Sequence, residues 1–205
     1  MIIRIYEKVF TQALVLYFTN QRGPFAVLLV PELGVCRVFF KKNNIKLSVG
    51  MHISLWMQQV KAGGWRGSDV AGLFFPSSWI QEDLLFLHHL AEITMNFVFS
   101  IEDAAVVWDL WQGLFLRDSC DIEDVELKKL MILGSFFLRI GQYVPFDQVA
   151  VHGELDQYTV TSRVFADGNE LNSGEKKRRI KMWLRLCICS CEPGYALRTI
   201  HFLNA

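Results

Sequence analysis

A series of apolar runs and turns between residues 13 and 42 constrains this chain more than any other feature. It reads ALVLYFTNQRGPFAVLLVPELGVCRVFFKK, in which three apolar runs are separated by polar turns and followed by a basic loop. The second turn, Pro31-Glu32-Leu33-Gly34, is typical of a hairpin between two strands. The pattern therefore predicts the opening strands of a small, strongly bent β-barrel.

Strand signals continue to about residue 76 and predict five strands, at residues 9–19, 25–30, 35–41, 51–60 and 69–75. A glycine-rich loop at residues 62–67 precedes the last of them. Five short strands with turns between them predict an OB-fold β-barrel, although periodicity alone leaves an SH3-like barrel open.

The periodicity becomes helical after residue 77. Capping signatures that predict three helix starts are Ser78 with Gln81, Ser100 with Asp103, and Asp121 with Asp124. The third helix, which we expect to end at Gly141, is apolar on nearly all sides and should be central in its domain. A last helix begins at Ser173, with an apolar stripe at Ile180, Trp183, Leu184, Cys187, Ile188 and Cys191. We expect an α+β protein: an OB-fold β-barrel at residues 1–76 and an all-helical domain at residues 77–205.

The composition indicates a packed protein of a reducing compartment. Of the 205 residues, 52% are hydrophobic, which is enough for a well-filled core. The chain has neither 18 uninterrupted apolar residues nor a signal-peptide pattern, so we expect a cytoplasmic protein without a membrane contact. Three of the five cysteines crowd at residues 187, 189 and 191, which is not a disulfide framework. Two of these three fall on the apolar stripe, and no matched His or Cys spacing completes a metal site.

Charge is unevenly distributed although the formal net charge is zero. Residues 1–76 carry nine Lys or Arg against three Asp or Glu, residues 77–170 five against sixteen, and residues 171–205 seven against two. These balances of +6, −11 and +5 indicate two basic surfaces separated in sequence by an acidic one. Ordinary solvated faces would explain the same distribution.

Several short phrases follow one another along the chain in a distinctive order. The first are LVLYF, AVLLVPELG and VCRVFFKK, followed by a Ser- and Gly-containing loop at residues 46–50. Later come LMILGSFFLRIGQYVP, an apolar helix that ends in Gly and then Pro, and ALRTIHFL near the C-terminus. In this order and spacing they resemble the RecO family of bacterial recombination mediators.

The resemblance implies a mediator of DNA repair and homologous recombination, associated with the bacterial nucleoid. Such a protein binds single-stranded and double-stranded DNA, the C-terminal tail of the single-stranded-DNA-binding protein (SSB), and RecR; it anneals strands and helps RecA to load. Many RecO-like proteins carry zinc-binding cysteines after the Gly-x-x-x-Pro phrase, but residues 146–153 contain no Cys, so we expect no zinc. We expect no cofactor and no enzymatic activity, because no nucleophile elbow, Walker loop or dinucleotide fingerprint occurs.

Cations of the predicted barrel are candidate DNA contacts, because single-stranded DNA is held by basic grooves and stacking aromatics. They are Arg22, Arg37, Lys41, Lys42, Lys46, Lys61 and Arg66. Trp65, in the glycine-rich loop, is a candidate stacking residue; the alternative is an aromatic that caps the barrel end.

A second basic run lies at the start of the last helix, at Lys176, Lys177, Arg178 and Arg179. Positive charge is unfavourable at a helix N-terminus, so a DNA partner would explain the run; a solvated helix start is the alternative. For the SSB tail, which the resemblance implies, the candidates are Arg139 and Lys129 on the central apolar helix, with local ion pairing as the alternative.

Two other functions remain open at this point. The chain would be a protein-interaction adaptor if its OB-like barrel no longer bound DNA. It would be a peripheral membrane protein if the basic, aromatic last helix lay on a lipid surface.

Overall fold

A computed structural model describes residues 8–21, 23–41, 46–60, 64–74, 83–116, 124–143 and 173–190. Within these ranges the chain is a mixed α+β protein with five strands and four helices, and this confirms the predicted class. The five strands are β1 (Lys8–Thr19), β2 (Phe25–Val30), β3 (Gly34–Phe40), β4 (His52–Gln59) and β5 (Trp65–Phe74). Four of them lie within two residues of their predicted bounds, whereas β5 begins four residues earlier than predicted.

The sheet closes on itself into a ring with the strand order β1-β2-β3-β5-β4. β1 pairs with both β2 and β4, β2 pairs with β3, and β4 pairs with β5, all of them antiparallel. β3 and β5 are parallel and join the two halves of the ring. The long β1 can serve two partners because its first half pairs with β4 and its second half with β2.

Side chains that alternate with period two fill the interior of the ring. In β3, Cys36, Val38 and Phe40 are buried, whereas Arg37 and Phe39 are exposed. The interior consists of apolar side chains contributed by several strands, among them Val15, Ala26, Leu28, Val38, Ile53, Leu55 and Met57. This core determines which residues of each strand face outward.

Two helices follow β5 along the chain: α1 (Leu84–Phe97) and α2 (Ile101–Leu116). The Asp83 carboxylate caps α1 and accepts a hydrogen bond of 2.8 Å from a backbone N–H of the first turn. At α2, the Asp103 N–H donates to Ser100 Oγ (3.0 Å) and the Ser100 N–H donates to Asp103 Oδ2 (3.3 Å), so the predicted capping box is confirmed. The predicted start at Ser78 lies outside the described residues.

The chain divides into two compact units between Asp118 and Ser119. In the first unit, α1 packs on β1, and α2 packs on β2 and β3. Near the start of β4, the His52 ring lies 4.8 Å from the Trp108 ring, and its Nδ1 is 3.4 Å from Gln112 Nε2. The predicted boundary near residue 76 separates β5 from α1, but the two belong to one unit because these helices cover part of the sheet's outer face.

The second unit contains α3 (Val125–Arg139) and α4 (Ser173–Ser190), which pack against each other. Asp124 caps α3 through a 3.1 Å hydrogen bond from a first-turn N–H, and the helix ends just before Gly141, whose φ is +67°. As predicted, α4 buries its apolar stripe, which includes Ile180, Trp183, Leu184, Cys187 and Ile188. Although α3 was predicted to be apolar on nearly all sides, it buries one face, Leu130, Leu133, Phe136 and Phe137, and leaves Met131 and Ile132 partly exposed. Cys191 lies outside the described residues.

Candidate nucleic-acid interface

Three aromatic side chains lie side by side on the outer face of β1, β2 and β3. The Tyr17 and Phe25 ring centroids are 6.5 Å apart, and those of Phe25 and Phe39 are 5.2 Å apart. Phe39 is 53% exposed and Tyr17 is 44% exposed, so neither ring is held in the core. Large exposed aromatics that contact one another are a common platform for nucleobases, because every base has a π face.

Two arginines flank these rings. Arg37 is exposed on β3, and it lines an open groove of about 540 Å³ together with Tyr17, Phe25 and Phe39. Arg66 is exposed on β5, directly opposite Phe39 in the parallel register. We call Tyr17, Phe25, Phe39, Arg37 and Arg66 the aromatic–cationic strip.

The strip's cations are available to a ligand as far as the described residues show. No carboxylate in those ranges forms an ion pair with Arg37 or Arg66, nor with the exposed Lys41 and Lys46 nearby in the chain. These four were predicted as DNA contacts, and the structure brings Arg37 and Arg66 to the same aromatic platform. Arg22, Lys42 and Lys61 lie outside the described residues.

Sequence patterns indicated Trp65 as the stacking residue and did not single out the aromatic residues of the strip. Trp65 is half-buried and packs against the interior core, as expected of an aromatic that caps the barrel end. The signal for Phe39 was present in the sequence: it lies two residues from Arg37, so an exposed arginine at 37 places residue 39 on the outer face. Phe25 follows from the hairpin register, in which it pairs with Phe39.

The second basic run is largely engaged by the second unit's own carboxylates. Lys177 Nζ lies 2.8 Å from Asp124 and 2.9 Å from Glu126, and Lys181 Nζ lies 2.9 Å from Glu126. The carboxylate of Asp124, and then that of Glu126, raise the pKa of Lys177. Hydrogen bonds from Lys181 and then Lys177 lower the pKa of Glu126.

This arrangement provides a structural reason for positive charge at the start of α4. Acidic residues are favourable in the first turn of α3, and they compensate lysines that would be unfavourable in the first turns of α4. Arg179 is held 2.6 Å from Glu175, one turn earlier on α4. Of the four predicted contacts in this run, Lys177 and Arg179 are therefore ion-paired, Arg178 is exposed, and the Lys176 side chain lies outside the described residues.

Arg139 and Lys129, the predicted SSB-tail contacts, both lie on α3 but not together. Ten residues separate them, which is roughly 15 Å along a helix. Arg139 is exposed in the last turn, where a cation is favoured by the helix dipole, whereas Lys129 is half-buried earlier in the helix. A single small pocket therefore does not hold both.

In the part of the chain that the structure describes, no group of three or more His, Cys, Asp or Glu side chains is placed to hold a metal ion. None of the described helices is both long enough and apolar enough to cross a membrane. Comparison with known proteins finds no family model that matches the chain and no curated protein that is significantly similar to it.

Proposed function

We propose that this protein binds single-stranded DNA on the aromatic–cationic strip and acts as a RecO-like recombination mediator. The strand order β1-β2-β3-β5-β4, with its parallel β3–β5 pair, supports an OB-fold, and proteins of that fold bind oligonucleotides across strands 2 and 3. The strip occupies that same face, since Phe25 lies on β2 and both Arg37 and Phe39 lie on β3.

One observation carries the proposal: exposed rings in mutual contact are flanked by arginines that have no described carboxylate partner. Stacking contributes about 1–3 kcal/mol per base, and cations that replace counterions on phosphates add a salt-dependent term. Within one groove, the rings of the strip provide the stacking and Arg37 provides the cation, and Arg66 lies opposite Phe39 on β5. Double-stranded DNA would meet the cations alone, because its bases are already stacked, and we expect it to bind more weakly.

The RecO resemblance extends the proposal to partners. The protein would dock on DNA coated by SSB through the SSB tail, neutralise phosphates so that complementary strands anneal, and act with RecR to let RecA replace the coating. Arg139 is the better candidate of the two for the tail carboxylates, because it is the more exposed.

Fluorescence anisotropy with a labelled oligothymidylate tests the proposal at several salt concentrations. We expect Phe39→Ala to weaken binding by about 5- to 150-fold, which corresponds to the loss of one stacked base. We expect Arg37→Ala to weaken binding and to flatten the salt slope by about 0.7, as for one phosphate contact to a single strand.

Phe99→Ala is the matched control, because Phe99 is 67% exposed between α1 and α2, away from the strip in sequence. It should bind DNA like the unaltered protein. Equal affinities for the Phe39→Ala and Phe99→Ala variants would refute the assignment of the strip, and no binding at low salt would refute DNA binding altogether.

A further inference from the structure

A second pair of exposed aromatics lies on the outer face of the ring, on β1 and β4. Phe10 and Trp56 are register partners whose ring centroids are 5.2 Å apart. Phe10 is 55% exposed and Trp56 is 37% exposed. This pair shares no residue with the aromatic–cationic strip.

A continuous row of exposed side chains joins the strip to this second pair. Phe39 is the register partner of Arg66, Arg66 of Gln58, and Gln58 of Lys8. All four side chains are exposed. Neighbouring strands are about 4.8 Å apart, so the row crosses roughly 14 Å from β3 to β1.

The exposed row supplies cations that can contact phosphates, and the Phe10–Trp56 pair supplies rings on which bases can stack. Lys8 Nζ lies 5.0 Å from the Trp56 ring centroid and 3.6 Å from an Asp69 carboxylate oxygen. Both partners of this ion pair are at least half exposed, and such pairs are weak, so a phosphate can compete for Lys8. Arg66 supplies a second cation between the two aromatic platforms.

We propose that Phe10 and Trp56 form a second stacking subsite for single-stranded DNA. A strand that leaves the aromatic–cationic strip crosses Arg66 and Gln58, with its phosphates near Arg66 and Lys8, and stacks a base on Phe10. The inference rests on the proposed function, since it needs the strand to be held first at the strip. At about 3.4 Å per stacked nucleotide, the row corresponds to roughly four nucleotides.

Oligonucleotide length separates the two subsites. We would measure anisotropy with oligothymidylates of about 3 and about 15 nucleotides for the unaltered protein and for the Phe10→Ala, Phe39→Ala and Phe99→Ala variants; the shorter one cannot span the row from the strip to Phe10. Phe39→Ala should weaken binding to both lengths. Phe10→Ala should leave the affinity for the shorter oligonucleotide unchanged within about twofold and weaken binding to the longer one, the 15-mer, by about 5- to 150-fold.

Phe10→Leu distinguishes loss of the ring from loss of the fold, because it removes the ring but keeps an apolar side chain. It should weaken 15-mer binding as Phe10→Ala does and should leave the melting temperature unchanged. Normal 15-mer binding by both Phe10 variants, while Phe39→Ala binds poorly, would overturn the second subsite and leave the proposed function standing. An equal loss for both lengths in the Phe10 variants would also overturn it. Failure of the unaltered protein to bind either oligonucleotide would overturn the proposed function itself.

Discussion

Gly67 should be the position in the ring where one added methyl group does the most harm. It is buried in β5 at the register partner of Phe40, where β5 runs parallel to β3. A Cβ built on Gly67 would collide with the Phe40 ring and would lie 2.9 Å from Val38 Cγ1. Val38 is fully buried and Phe40 is 7% exposed, so neither side chain can turn into solvent to make room.

The size of the effect follows from two opposing terms. Overpacking a filled core typically costs about 1–3 kcal/mol, whereas replacing glycine by alanine recovers about 0.5–1 kcal/mol of chain entropy. The two terms leave a net cost of roughly 0–2.5 kcal/mol, and we expect Gly67→Ala to lie in the upper half of that range, because its Cβ would collide with a buried ring. Because Phe39 and Arg66 adjoin the displaced residues, DNA binding at the aromatic–cationic strip should fall as well.

Gly113→Ala is a matched control, because Gly113 lies inside α2 and, apart from its chain neighbours and its own helix backbone, no described atom lies within 4 Å of the position of an added Cβ. In a helix this substitution should stabilise by about 0.8–1.0 kcal/mol. Thermal unfolding followed by circular dichroism should give opposite shifts in the melting temperature for the two variants. A melting temperature of Gly67→Ala at or above that of the unaltered protein would contradict close packing at this position.

Two further predictions concern pH. Burial lowers the pKa of His52 below its usual 6.5, so the unfolded chain takes up a proton that the folded chain resists, and stability falls as pH drops below about 6.5. His52→Gln, which keeps a polar group near Gln112, should show a smaller loss of melting temperature between pH 7.5 and 5.5; an equal loss would contradict this. Lys181 and Lys177 lower the pKa of Glu126, so its contribution is present above the ordinary carboxyl pKa of 4.5 and is lost as pH falls below that. Glu126→Gln should therefore destabilise at pH 7, by about 1 kcal/mol or less, and have little effect at pH 3 in urea unfolding experiments; an equal effect at both pH values would rule out the ion pairs as its cause.

Local sequence patterns were sufficient to predict most of the strands and helices. The strand at residues 25–30 was predicted to the residue, because FAVLLV is an unbroken apolar run that follows Gly23-Pro24 and ends at the turn that begins with Pro31. The start of β5 was not predicted, because Trp65, Arg66 and Gly67 belong to the glycine-rich segment at residues 62–67, which is typical of a loop. Gly67 is there for a different reason: only a residue without a side chain fits against Phe40 from a strand 27 positions away, and such a contact is not visible in local sequence.

The candidate site was also only partly predictable from local sequence. Arg37 and Arg66 were found from charge alone, but their common platform depends on the parallel pairing of β3 with β5. Lys177 was a reasonable candidate by sequence, and its engagement with Asp124 depends on which helix lies beside α4. Charge patterns identify cations, and tertiary packing decides which of them remain available to a ligand.

The zero net charge does not weaken the proposed DNA binding, because a phosphate responds to the charges near it. Screening at physiological salt limits interactions between exposed groups to about 8 Å. Between residues 8 and 74 the chain has eight Lys or Arg and only two acidic residues, Glu32 and Asp69. The other described carboxylates of the first unit include Glu92, Glu102 and Asp103, which lie on α1 and α2 and not on the strands. In the second unit, Asp124 and Glu126 pair with lysines of that same unit. The salt slope of DNA binding should therefore follow the number of cations on the sheet, and Arg37→Ala and Arg66→Ala should each flatten it by about 0.7.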